Sequence, residues 1–335
     1  MSTPASSTSE SGLADALLLD GKGGARRLDW DGVDAWKPAD GALWLHLDYS
    51  APDAAAWLRE RSGIEPVILE ALLDTDPRPR ALPQPNNELL LIVRGINHNE
   101  SSEPEDMISI RIWIEPHRIV TMRHRHSRSL DSLAADTMKG KGPRDVGEVT
   151  SQLVDRIVDN VVTRVDRLHD EIAASEDQIL SEKRGGDLRA YLADHRRRAI
   201  GLRRFLGPQR DALSKLGAIQ LPWLLDPHRA EITETTDRMM RAIEELDAAR
   251  ERAAVTQEEL SSKMGELTNQ RLYILSIITA VFLPLGFICS LLGVNVGGVP
   301  LQAEEWAFWA LVAAFVVGVA IQIYIFRKRG WLKRD

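Results

Sequence analysis

The sequence predicts an α/β cytoplasmic domain, followed by a long helix and two membrane spans at the C-terminal end. Three observations carry this prediction. Leu272 to Leu292 and Trp306 to Phe326 contain no charged residue, and each run is about 21 residues, or roughly 31 Å as a helix, which matches a bilayer core. Residues 41 to 125 mix short strand patterns with short helical runs, a mixed α/β texture. After Gly147 the period changes to that of long amphipathic helices. The chain has 335 residues, 44% hydrophobic and 27% charged, ordinary globular values with length enough for about two domains. The single Cys289 excludes an intrachain disulfide framework and a Cys-rich structural zinc site. A net charge of -7 argues against nucleic acid as a partner.

Taken in order, residues 1–12 are rich in Ser and Thr and read as a disordered tail. Residues 13–146 form the α/β domain. Gly21-Lys22-Gly23-Gly24 is Gly-rich, but no Gly-Lys-Ser/Thr follows, so it reads as a hairpin turn rather than a phosphate loop. Leu43, Leu45 and Leu47 alternate along a strand. Asp53 to Arg61 and Glu65 to Leu73 read as helices, with Asp53 favouring a helix N-terminus. Leu89 to Val93 is a short buried strand. Ile108, Ile110, Ile112 and Ile114 alternate with Ser109, Arg111 and Trp113, and Arg118 to Met122 pairs back across Pro116. Residues 147–225 form a helical region. Val149, Leu153, Ile157, Val161, Val165, Leu168 and Ile172 make its first apolar stripe. A second helix runs from Asp187 to Leu216 with an expected interruption at Gly207-Pro208. Residues 226–292 are one long helix, begun by Asp226-Pro227 and continuing into the first span, ~67 residues and roughly 100 Å in all. Residues 293–305 form an external loop, 306–326 the second span and 327–335 a basic cytoplasmic tail.

The flanks set the orientation. Arg327, Lys328, Arg329, Lys333 and Arg334 follow the second run and Lys263 and Arg271 precede the first, whereas Gly293 to Glu305 has no Lys or Arg. The positive-inside rule places both termini in the cytoplasm.

On a helix of 100° per residue, Asn269, Ser276, Thr279, Gly286 and Ser290 fall within about 100° of arc, together with Leu272 and Leu283. Periodicity alone leaves two readings even, since small and hydroxylated residues both pack helices in membranes and line pores. The length of the stripe, its end at Asn295 and the acidic pair Glu304 and Glu305 at the outer mouth favour the pore. Two helices cannot enclose one, so a pore requires a homo-oligomer, in which each carboxylate is repeated per subunit and gathers cations. With no charge in the span, such a path suits an ion that keeps much of its water, with the leucines as apolar constrictions.

Two further sets could hold a metal in the cytoplasm. His124 and His126 would share a face on a strand, although Arg123, Arg125 and Arg128 oppose a cation. Asp155 and Asp159 share a helix face with Asp166 and Asp170, which also reads as a solvated face salted with Arg156, Arg164 and Arg167. His169 and His195 read as surface residues. No His-Glu-x-x-His, nucleophile elbow or kinase set occurs, so neither an enzyme nor a prosthetic group is expected.

Gly293-Val294-Asn295, directly after the first of two C-terminal spans, resembles the Gly-Met-Asn signature of the CorA superfamily of divalent-cation transporters. Val in place of Met is similar to the zinc-transporting ZntB branch, as are Gly297-Gly298-Val299-Pro300 and the tail Arg327 to Leu332. Asn269, Leu275-Ser276 and Pro284 have the superfamily's relative spacing. The resemblance implies a CorA-like funnel-shaped homopentamer in the bacterial inner membrane among its lipids. It implies that five first spans surround the pore and that Asn295 belongs to an outer ion-selecting ring. The cargo implied is Zn2+, with Mg2+, Co2+, Ni2+ and Cd2+ as the other ions of the class and protons as a coupled species. A magnesium, cobalt or nickel channel is the alternative within the class. A membrane-anchored sensor or scaffold is the alternative outside it.

Overall fold

The computed structural model describes residues 12–99, 102, 103, 105–180, 185–294, 301, 304 and 306–328. They divide into two compact units, Met1–Glu258 and Glu259–Asp335. The expected tail at 1–12 falls almost wholly outside the described residues.

In the first unit β1 (Leu13–Leu19), β2 (Ala25–Arg27), β3 (Leu43–Asp48), β4 (Arg80–Gln84), β5 (Glu88–Gly95), β6 (Ile108–Ile114) and β7 (Arg118–Arg123) form one sheet in the order β2-β1-β3-β7-β6-β5-β4. Only the β3–β7 pair is parallel. A parallel pair needs a long crossover, and the chain from 49 to 117 supplies it. The expected turn at 21–24 closes β1 onto β2. Asp20 Oδ1 accepts from the N–H groups of Lys22 and Gly24 at 2.7 and 2.9 Å, and Gly21 and Gly23 take φ of 72° and 102°, where glycine is favoured.

Helices cover both faces of the sheet. Under α1 (Trp30–Ala35), α2 (Pro52–Glu60) and α3 (Pro66–Leu73) lie Leu43, Leu45, Leu47, Leu90, Ile92, Trp113 and Met122. The other face carries Trp44, Leu89, Leu91, Val93, Ile110, Ile112 and Ile114. It packs on α4 (Arg128–Met138), α5 (Val146–Leu180), α6 (Gly185–Ala218) and the start of α7 (Asp226–Leu292). Period-2 alternation thus sorts one strand's residues into two cores. The alternation of 108–114 therefore does not mark a wet side. Trp113 and Arg111 are 3% and 2% exposed, and Arg111 lies 4.5 Å over the Tyr49 ring and donates to Asp74 O at 2.7 Å.

All seven residues of the first helical stripe are at most 1% exposed on α5. Two expectations are corrected. No interruption occurs at Gly207-Pro208, because α6 continues through Pro208. A proline inside a helix costs about 3 kcal/mol, and the residue after it joins α6 to the sheet. Gln209 is fully buried, and its Oε1 accepts from Arg94 N at 2.6 Å, a strand N–H that β4 is too short to reach. His195 is not a surface residue. It is 2% exposed, lies edge-on to Tyr191 at 4.0 Å and 3.4 Å from Glu171, and burial pushes its pKa down. His169 is half-buried, with Nε2 3.3 Å from Arg252.

A buried hydroxyl ties the parallel pair together. Thr121 Oγ1 on β7 donates to Leu45 O on β3 at 3.0 Å and accepts from Trp44 Nε1 at 3.1 Å, with His46 Nδ1 at 3.0 Å. With its hydrogen committed, Thr121 can only accept from His46, which assigns the Nδ1–H tautomer. Burial, aided by the Arg123 charge, lowers the His46 pKa to about 3. The unfolded chain protonates this ring near the ordinary 6.5 and the folded chain only near 3. Stability is therefore complete above 6.5 and falls by about 1.4 kcal/mol per unit as pH drops through that window. We expect His46→Asn, which keeps an N–H at the Nδ1 position, to remove this component. Denaturation midpoints of both proteins between pH 4 and 7 check it, and parallel slopes would exclude His46 as the cause.

Candidate functional site

The second unit contains the distal part of α7 and α8 (Trp306–Lys328). Both helices carry apolar stretches long enough to cross a membrane, and none of that length is buried within the protein. Phe282, Leu283, Phe287 and Trp309 are 67% to 71% exposed. Residues of this kind left uncovered in such number need hydrocarbon or other helices as solvent, so a reading as soluble core helices fails.

The two helices turn specific faces to one another. On α7 the half-buried positions of this stretch are Ile277, Val281 and Leu285, and on α8 they are Ala307, Leu311, Phe315, Val319 and Gln322, the spacing of helix seams. Leu272, Ser276, Thr279, Leu283, Gly286 and Ser290 are all exposed. At 100° per residue their arc is centred roughly 175° from the seam. The polar stripe thus plays no part in packing the two spans of one chain. Gly286 agrees, since a Cβ built there meets nothing within 4 Å. Asn269, one turn before the apolar run, is exposed as well.

Two hydroxyls on this stripe have a defined polarity. Ser276 Oγ donates to Leu272 O and Thr279 Oγ1 to Leu275 O, each at 2.9 Å. Their hydrogens are turned back into the helix, which leaves oxygen lone pairs facing out. Water around a cation points its hydrogens away from the ion, so a wall of acceptors suits a hydrated cation better than a wall of donors.

The helix ends at the motif. Gly293 N donates to Cys289 O at 2.9 Å, and Val294 is 48% exposed. Asn295 and Glu305 lie outside the described residues. Glu304 is exposed, and its carbonyl accepts from Ala307 N at 3.1 Å in the first turn of α8. That end of α8 attracts carboxylates through its dipole.

The metal candidates of the first unit are differently placed. Asp155 and Asp159 do share a face of α5, and Arg238 of α7 bonds both of them, with Thr235 Oγ1 donating to Asp155 at 3.2 Å. The guanidinium occupies the position a cation would take. His124 and His126 do not share a strand face, because β7 ends at Arg123. His126 Nε2 lies 3.0 Å from Asp131, whereas the His124 ring lies 5.9 Å from the Tyr49 ring. Sequence reasoning missed another group. Asp145, Glu148 and His228 bring one ligand atom each within 4.8 Å of the others. Glu148 is already bonded through both oxygens to Arg144, which holds its carboxyl below the usual range, and Asp145 caps Glu148 N at 2.9 Å. The group serves the start of α5.

A family model described as CorA-like Mg2+ transporter protein matches residues 39–329. A divalent cation transporter CmaX of Pseudomonas aeruginosa is 37% identical over 96% of this chain and 98% of its own length. A zinc transport protein ZntB of Yersinia enterocolitica is 35% identical over 92% and 94%. Among solved structures, full-length CmaX superposes with a TM-score of 0.84 at 36% identity, over 95% of this chain and 98% of that one. The CorA magnesium transporter of Methanocaldococcus jannaschii reaches 0.79 at 21% identity over 95% and 98%, a likeness of fold.

Proposed function

The chain belongs to the family of CorA-like Mg2+ transporter proteins, and from that membership we propose that it carries zinc across the bacterial inner membrane. The observation that carries the reading is the stripe of acceptor oxygens on α7, turned away from the chain's own second span. A face that is polar, uncovered and set in a membrane span needs either a partner helix or water. In a homopentamer with this face inward, Asn269, Ser276, Thr279, Gly286 and Ser290 line a wet path, and Leu272 and Leu283 narrow it. Glu304 and Glu305 gather ions at the mouth, and the ring of Gly293, Val294 and Asn295 selects among them by side-chain and backbone oxygens. Residues 13–225 form the cytoplasmic part with both termini on that side, and 226–292 run from it into the first span.

Zinc, rather than magnesium, is supported by Val294 at the motif's middle position and by the ZntB relatives. The description of the matching family favours magnesium as the second reading. Flux into liposomes loaded with a zinc-sensitive dye decides between them. We expect zinc entry that rises with an inward proton gradient and is lost in Asn295→Ala. Zinc flux indifferent to pH identifies a passive channel. Magnesium flux without zinc flux moves the cargo to the second reading. No flux of any divalent cation overturns the pore and leaves an anchored sensor or scaffold.

A further inference from the structure

Pro284 stands inside α7, which continues across it. Proline has no N–H, so the carbonyl of Ala280, four residues earlier, loses its helical donor. In water the loss is minor. Within hydrocarbon no solvent takes the donor's place, and a bare carbonyl is costly. Gln322 Nε2 on α8 donates to that same Ala280 carbonyl at 2.7 Å. Gln322 is the one Asn or Gln between Trp306 and Phe326. An amide in a membrane span is itself unfavourable unless bonded. Two liabilities, the acceptor freed by Pro284 and the donor on Gln322, thus cancel each other.

We infer that Gln322 is a positioning residue. Its amide replaces the backbone donor missing at Pro284 and clamps the second span to the stripe-bearing helix. Pro284 lies on the seam side of α7, one residue from Leu283 and two from Gly286 on the opposite side. The backbone that presents those two residues is therefore held at the proline by Gln322. The inference rests on the reading of both helices as membrane spans and not on the identity of the cargo.

A double-mutant cycle on the full-length protein tests it, with Gln322→Leu, Pro284→Ala and the pair. Thermal unfolding in detergent and relative cation flux in liposomes are both read. Gln322→Leu is expected to lower flux roughly fivefold, the scale of one interhelical bond in a membrane, and to lower the unfolding temperature. In the Pro284→Ala background the backbone N–H is restored at position 284 and meets Ala280 again. There the same substitution is expected to have little effect on either readout. Equal effects in the two backgrounds overturn the inference, because Gln322 then acts by something other than the freed carbonyl. Gln322→Glu adds a signature that plain space-filling lacks. A carboxyl group donates only when protonated, so the flux of this variant relative to wild type is expected to fall as pH rises. A flat ratio again overturns the clamp. If the wild type passes no cation, the transport reading fails while the unfolding cycle still decides this one.

Discussion

Gly286→Leu is expected to cut cation flux by roughly tenfold or more while the protein still folds and assembles. The new side chain starts into open space, since nothing lies within 4 Å of the position a Cβ would take. Leucine also has the better helix propensity, by up to about 1 kcal/mol, so misfolding is not the expected failure. What changes is the stripe. In an oligomer with this face inward, one more apolar ring joins those of Leu272 and Leu283 at the open position between Leu283 and Ser290, lengthening the narrow dry part of the path that a hydrated ion must cross. Cys289→Leu is the control. Cys289 is exposed and lies off both the stripe and the seam, and flux is expected to stay within about twofold. Ion flux and size-exclusion profiles of both variants check this. Full flux in Gly286→Leu would place the stripe outside the conduction path.

The largest effect on stability is expected from Arg164→Ala. Arg164 of α5 bonds Glu105 at 3.0 Å, and both side chains are only 10% exposed. A second carboxylate, Glu171, stands 3.6 Å from the same guanidinium. Removing the cation leaves Glu105 without its bonded partner in a poorly hydrated place, and loss of one partner of such a pair costs about 3–5 kcal/mol. The pair itself contributes less than that, because burying both charges has its own cost. Arg164→Ala combined with Glu105→Gln is therefore expected to recover part of the loss. Denaturation of the full-length protein followed by tryptophan fluorescence measures both. Equal midpoints for wild type and Arg164→Ala would show that Glu105 is hydrated in solution.

Parts of this architecture were readable from the chain because they depend on local patterns. A run without charge, long enough for a bilayer, needs no partner to be recognised, and neither does the 3.6-residue stripe from Val149 to Ile172. The strands at 43–48 and 108–114 announce themselves by alternation, that at 88–95 by the unbroken apolar run from Leu89 to Val93, and the turn at 21–24 by its glycines. β4 was missed because Pro83 interrupts its pattern. The candidate stripe on the first span was also a matter of angle along one helix.

The spans, the stripe and the alternating strands are legible in the chain alone, since each is set by how neighbouring side chains partition between water and apolar surroundings. Which faces are covered and which charges already have partners depends on residues brought together from far apart. Arg111 and Trp113 are buried because α1–α3 lie on a sheet face that the strand's own pattern leaves open. His195 stands against Glu171 of another helix, and Gln209, next to Pro208 on α6, answers a strand N–H far away in the chain. Asp155 and Asp159 look like metal ligands until Arg238, some 80 residues on, closes over both. The same holds in the second unit, where the seam with α8 shows that the stripe is not spent on packing the chain's own second span and Gln322 shows what meets the carbonyl freed by Pro284. Burial and pairing are properties of two surfaces, and a linear pattern specifies only one of them.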